Sequence, residues 1–155
     1  MRSKYCGKPV TMPQIWHRTI GSVNSSDWNH KSWTPDAVVV NLGTNDWHGV
    51  PNNKSDPVVV AFVAEFASAY RDFLRQIADV YGKSVHIFLG VGPMTDGYLE
   101  PVQWAIGNAT SDGMRVHLLN QSGFSHGDCG HPSWQSDQQL ADSAAAEIGH
   151  AMGWG

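Results

Sequence analysis

Cysteine is nearly absent. Cys6 and Cys129 are the only two in 155 residues, which excludes a disulfide-dense scaffold and any module built on paired C-x-x-C elements. One Cys6–Cys129 bridge and two free thiols both remain open. Charge is scarce as well: 15% of residues are charged, 10 basic against 14 acidic, for a net charge of −4. With no basic block anywhere, nucleic acid is not an expected partner. Long apolar runs are missing too. The longest, Val58–Ala64, is far too short to cross a bilayer, so no membrane partner is expected. The opening MRSKYCGKPV does not read as a signal peptide, and there is no internal repeat or low-complexity tract.

Two residue types are plentiful. There are seven Trp residues, and four N-x-S/T sequons begin at Asn24, Asn53, Asn108 and Asn120. With eight Asn and 20 Ser plus Thr, chance supplies about one sequon. The excess points to a secreted, glycosylated protein, although these residue types also favour turns.

Residues 1–34 are polar and irregular. From Pro35 the pattern becomes regular. Ala37–Leu42 is an apolar run broken only at Asn41, as in a strand covered on both faces. Residues 48–56 read as a polar loop. Asp56-Pro57 reads as an N-cap followed by proline at the first helical position. Phe62, Phe66, Phe73 and Ile77 then recur at helical spacing until Gly82 stops the helix. Val85–Val91 is a second buried strand, Tyr98–Ala109 a shorter helix and Val116–Asn120 a third strand. A last helix, with a capping box between Ser136 and Gln139, carries Leu140, Ala144, Ile148 and Met152 on one face. Alternating strands and helices predict one α/β domain over 1–155 with a parallel sheet. Sites in such sheets form at the carboxyl ends of the strands.

Two motifs fall there. Gly43-Thr44-Asn45-Asp46 closes the first strand: glycine permits a sharp turn, and an Asn amide beyond it can donate to a developing oxyanion. The plain alternative is an Asn-Asp turn capping a helix. Asp128-Cys129-Gly130-His131-Pro132 precedes the last helix. Histidine is the usual general base near neutral pH, and a carboxylate three residues earlier can fix its tautomer. The plain alternative is an exposed histidine in a surface turn. A third reading makes His126, Asp128, Cys129 and His131 a metal site, but their spacing in a glycine-rich loop is unlike the paired ligands of structural zinc sites.

Taken together, GxND after one strand and DxxHP before a C-terminal helix resemble the SGNH (GDSL-type) hydrolases. PDAVVVNLGTNDW, with an aromatic directly after the Asp, and the upstream TMPQIWHRTIG are similar to carbohydrate esterase family two, over residues 11–152. The resemblance implies a three-layer α/β/α flavodoxin-like fold and carboxylic ester hydrolysis, deacetylating a carbohydrate through an acyl-serine intermediate without a cofactor or metal. It makes Asn45 an oxyanion donor, His131 the base and Asp128 its orienting partner. Gly43, Asp46 and Trp47 would lie beside the substrate. The family's serine sits in a GDS block after the first strand, and no GDS occurs in this sequence. Ser22 and Ser3 lack the strand context that the block requires, and neither Gly21 nor Gly7 has the context of the family's second block, which supplies a glycine donor to the oxyanion hole. The expectation is therefore a domain lacking its first two strands, inactive or unstable without a partner segment. A pseudoenzyme that binds carbohydrate without cleaving it is the alternative.

Overall fold

The computed structural model describes residues 10–124, 127 and 130–154. Nine short and long elements follow one another among them. They are α1 (Met12–Ile15), a 3-10 turn (His30–Ser32), β1 (Ala37–Val40), α2 (Thr44–Trp47), α3 (Pro57–Tyr81), β2 (His86–Val91), α4 (Leu99–Ser111), β3 (Arg115–Asn120) and α5 (Trp134–Met152). The strands form one parallel sheet in the order β1-β2-β3. The predicted α/β class is thus observed, with each strand followed by a helix.

Register decides which residues share a face. Val38 lies opposite Ile87, and Ile87 opposite Val116. Side chains alternate across a strand. Val40, Ile87, Leu89, Val91 and Val116 therefore join the core formed with α3 and α4. α3 contributes Val59, Phe62, Phe66, Tyr70, Phe73, Leu74 and Ile77 at steps of three and four, the spacing of one helical face. α4 buries mostly small residues, Val102, Ala105 and Ala109, which lets it lie close to its neighbours. The ends of α3 are set as expected: Asp56 Oδ1 accepts from Val58 N at 2.8 Å, and Gly82 is the C-cap. Glu65, Asp72 and Asp79 lie on its exposed side. Arg75 bridges α3 to Asp112 at 2.7 Å, and its guanidinium holds that carboxyl below its ordinary value. Being exposed, such a pair stabilises little.

The N-terminal segment is fixed at one pole of the sheet. The indole Nε1 of Trp16 donates to Gln76 Oε1 at 3.2 Å, its ring lies edge-on to Phe73 and Tyr81, and His30 Nδ1 lies 2.8 Å from the Tyr81 hydroxyl. These partners sit in the last turns of α3, which lead into the amino end of β2. Residues 17–29 loop out from that pole, with Arg18 bridged to Asp27.

Several sequence expectations are corrected. The N-cap of α5 is Ser133, whose Oγ accepts from Ser136 N. The helix thus starts before the proposed Ser136–Gln139 box, and the chain's capping box is Thr11 with Gln14. By position in the sequence, Trp104, Trp134 and Trp154 are expected to pack on helices and Trp16, Trp28 and Trp33 to anchor the N-terminal segment; Trp16 does so, whereas the other five are exposed. A tryptophan count cannot tell which indoles are core, since exposed apolar side chains are common.

His86 on β2 and His117 on β3 are linked. Arg115 donates to His86 Nε2 at 3.2 Å, which leaves the His86 proton on Nδ1, directed at His117 Nε2 3.0 Å away. The His117 ring stacks on Phe88. Burial, and secondly the neighbouring His86, hold His117 below its ordinary value of 6.5. The unfolded chain therefore binds this proton more readily, so stability falls as pH drops below the ordinary value. Urea midpoints measured between about pH 7.5 and about pH 5 are expected to fall less steeply for His117→Phe than for the wild type. Equal slopes would show that this histidine is not the sensitive group.

Candidate active site

The carboxyl ends of the three strands carry the loops in which the sequence motifs lie. β1 ends at Val40, and Leu42 leads into Gly43, the N-cap of the single-turn helix α2. Gly43 adopts φ +134°, and a Cβ there would lie 2.6 Å from the Tyr98 ring. Both facts require glycine. The plain reading of TNDW as a helical turn is therefore correct for its backbone, and it leaves Asn45 at the exposed surface of the turn. Asp46 points inward and is 8% exposed. Its Oδ1 has no hydrogen-bond partner among the described residues, and burial pushes its pKa up. Trp47 is half-buried, with its ring against Phe62, Phe66 and Tyr98. Much of its indole surface is used in this packing.

Tyr98 organises this pole, and nothing in GYLEP marked it beforehand. It is fully buried. Its hydroxyl accepts from Gly92 N at 3.2 Å, which frees its own proton for Thr44 Oγ1, also at 3.2 Å. The loop after β2 is thereby tied to the turn after β1. The end of β2 is in turn tied to β3: Gln121 N donates to Val91 O at 2.8 Å, and Gly92, at φ +106°, has the Gln121 carbonyl 2.6 Å from where a Cβ would sit. Tyr70 is buried nearby, and burial, followed by Tyr98, raises its pKa far above the ordinary phenol range.

His131 is exposed, in the turn that enters α5. Its carbonyl accepts from Gly127 N at 2.6 Å, which folds the loop back on itself. β1 and β3 flank β2, so their ends are about 10 Å apart at two strand spacings. Asn45 and His131 thus belong to loops leaving the same pole of the sheet, His131 eleven positions beyond Asn120. Asp128 lies outside the described residues, as do Ser3, Cys6, Gly7, His126 and Cys129. The suggested orienting carboxylate, the Cys6–Cys129 pairing and the full metal alternative lie there with them. Ser22 is described and is not at this pole: its loop springs from Trp16 and His30, which pack on the opposite end of α3. Ser122 and Ser133 do lie near the site, with hydroxyls bonded to Asn120 Oδ1 at 2.7 Å and Ser136 Oγ at 3.1 Å.

No protein-family model matches the chain. Its relatives and structural neighbours are carbohydrate esterases, the group its motifs resemble. Over 137 residues it is 29% identical to the cellulase/esterase CelE of Acetivibrio thermocellus, covering 82% of this chain and 16% of that one. Over 126 residues it is 25% identical to an acetylxylan esterase / glucomannan deacetylase of Cellvibrio japonicus, covering 78% and 35%. Among solved structures, an acetyl xylan esterase from the rumen bacterium Butyrivibrio proteoclasticus superposes with a TM-score of 0.79 at 19% identity, over 92% of this chain and 46% of that one. That likeness is one of fold. The chain spans less than half the length of each of these proteins.

The pole's packing makes two substitutions informative. Gly43→Ala is expected to destabilise the fold by about 2–4 kcal/mol in urea unfolding, since it adds both a strained φ and a clash with Tyr98. Asp46→Asn removes a charge that the folded state holds at a cost. It is expected to keep or raise the midpoint at neutral pH, with the gain shrinking as pH falls and Asp46 itself takes up a proton. A large loss at neutral pH would show that the carboxylate is needed in charged form.

Proposed function

We propose that this chain carries the oxyanion and base residues of a carbohydrate deacetylase working by acyl transfer. The observation that carries the reading is the placement of the Asn45 turn and the His131 loop at one pole of a parallel sheet, in a chain whose relatives are carbohydrate esterases. In this reading His131 takes the proton of a serine hydroxyl as that oxygen attacks the acetyl carbonyl. The carbonyl oxygen becomes an oxyanion and accepts from the Asn45 amide. Collapse expels the sugar oxygen, which receives its proton from His131, and water then releases acetate from the acyl-serine. Asp128 would orient His131, while Gly43, Asp46 and Trp47 would shape the wall beside the acetyl group. The substrate is an acetylated polysaccharide of the xylan or glucomannan kind, and a secreted form is part of the same reading. Asn24 and Asn53, each in a sequon, are exposed.

The nucleophile, in this proposal, comes with a segment that pairs along β1. That strand is hydrogen-bonded to β2 alone among the described residues, and Val39 on it is 56% exposed. An open edge of this kind invites another strand. A second reading, glycan binding without cleavage, is favoured by the exposure of Trp33, Trp104 and Trp134.

The chain alone is expected to release little acetate from acetylated xylan. Supplying the serine-bearing strand of a family two esterase, fused or in trans, is expected to raise that rate. In the active form, His131→Ala should remove about 10²–10⁴-fold of the rate and Asn45→Ala about 10²–10³-fold. A rate indifferent to both substitutions would overturn the assignment. Fast turnover by the unaided chain that survives Ser22→Ala would place the serine elsewhere in it. Polysaccharide binding with no acetate release in any form would select the second reading.

A further inference from the structure

The geometry points to Trp134 as a stacking platform for a sugar ring of the polysaccharide, next to the acyl-transfer site; this rests on the carbohydrate reading above. Trp134 is 75% exposed, the most exposed large apolar side chain of the described residues. It is the first residue of α5 and follows His131 by three positions, so the two Cα atoms are at most about 11 Å apart.

Its mounting is firm. Ser133 caps the helix by accepting from Ser136 N at 3.2 Å, and the two hydroxyls lie 3.1 Å apart. Ser136 itself is buried. Upstream, Gly127 bonds to the His131 carbonyl and approaches so closely that a Cβ there would lie 3.0 Å from Ser133 N. The segment from His131 to Trp134 is therefore held by bonds at both ends while the indole faces water. A large apolar ring held in solvent gains little for folding. It is well suited to a ligand with one apolar face, and a pyranose ring presents such a face of C–H groups to the electron-rich side of an indole. Tryptophan has few torsions to freeze, so contact with a fixed ring costs little conformational entropy. A platform at Trp134 would give the proposed site a reason to prefer acetyl groups carried on a polymer.

The test uses affinity electrophoresis of the whole 155-residue chain in gels containing soluble acetylated glucomannan or acetylated xylan. The wild type is expected to be retarded. Trp134→Ala is expected to bind about tenfold more weakly, and Trp134→Tyr to keep most of the retardation. Trp154→Ala, which removes an exposed indole beyond the far end of α5, is expected to behave as wild type. Unchanged binding by Trp134→Ala, or an equal loss in Trp154→Ala, would overturn the inference alone. So would a large drop in the unfolding midpoint of Trp134→Ala, since that would make the ring a packing residue. A wild type retarded by neither polymer would overturn both this inference and the carbohydrate reading beneath it.

Discussion

The carboxyl pole of the sheet depends on one buried hydroxyl. Tyr98 reaches from the start of α4 to the space between the first two strands, where it accepts from Gly92 N and faces Thr44 Oγ1. Without that oxygen the Gly92 amide would lose its partner in a place that water does not freely reach, which costs about 1–3 kcal/mol. The ring has a second effect. It lies where a Cβ of Gly43 would be, so the turn after β1 can close only over glycine. Asn45 is exposed because Gly43 turns the chain there, and with Tyr98 beneath it only a residue without a Cβ can make that turn.

The rest of the core serves this arrangement. α3 brings a row of aromatic rings, Phe62, Phe66 and Tyr70, under α2, and Trp47 closes the row against Tyr98. Within that apolar surrounding the structure keeps Asp46 and the Tyr70 hydroxyl, both with burial-raised pKa values. Burying polar atoms without partners opposes folding.

The fold was largely legible because its signals are local. Short, largely apolar stretches marked all three strands, Asp56-Pro57 and Gly82 marked both ends of α3, and the alternation of strands and helices implied the parallel sheet. The site was legible only in part. Gly43, Asn45 and His131 stood out because each lies in a short motif at a strand or helix end. Tyr98 did not, since its role depends on contacts with residues 54 and 6 positions away, which no local pattern records. The Ser133 cap was missed in favour of Ser136 because both have the right chemistry and only the backbone path selects one. The tryptophans were misjudged for a related reason: helical spacing says which side a residue is on, not whether anything covers that side. The His86–His117 link, likewise, follows from a register that joins strands 31 positions apart.

In the proposed function, order at the pole is what links structure to activity: a donor on one loop and a base on another can act on one ester only if the loops hold still relative to the sheet. That makes Tyr98 the point at which the account is most exposed. Its most direct test is amide hydrogen exchange, residue by residue, on Tyr98→Phe against wild type. The account predicts that protection falls at Gly92 and across residues 43–47 while the centres of β2 and α3 keep theirs. Unchanged protection at Gly92 and the Asn45 turn would contradict it, because the pole would then be ordered by something other than the Tyr98 hydroxyl.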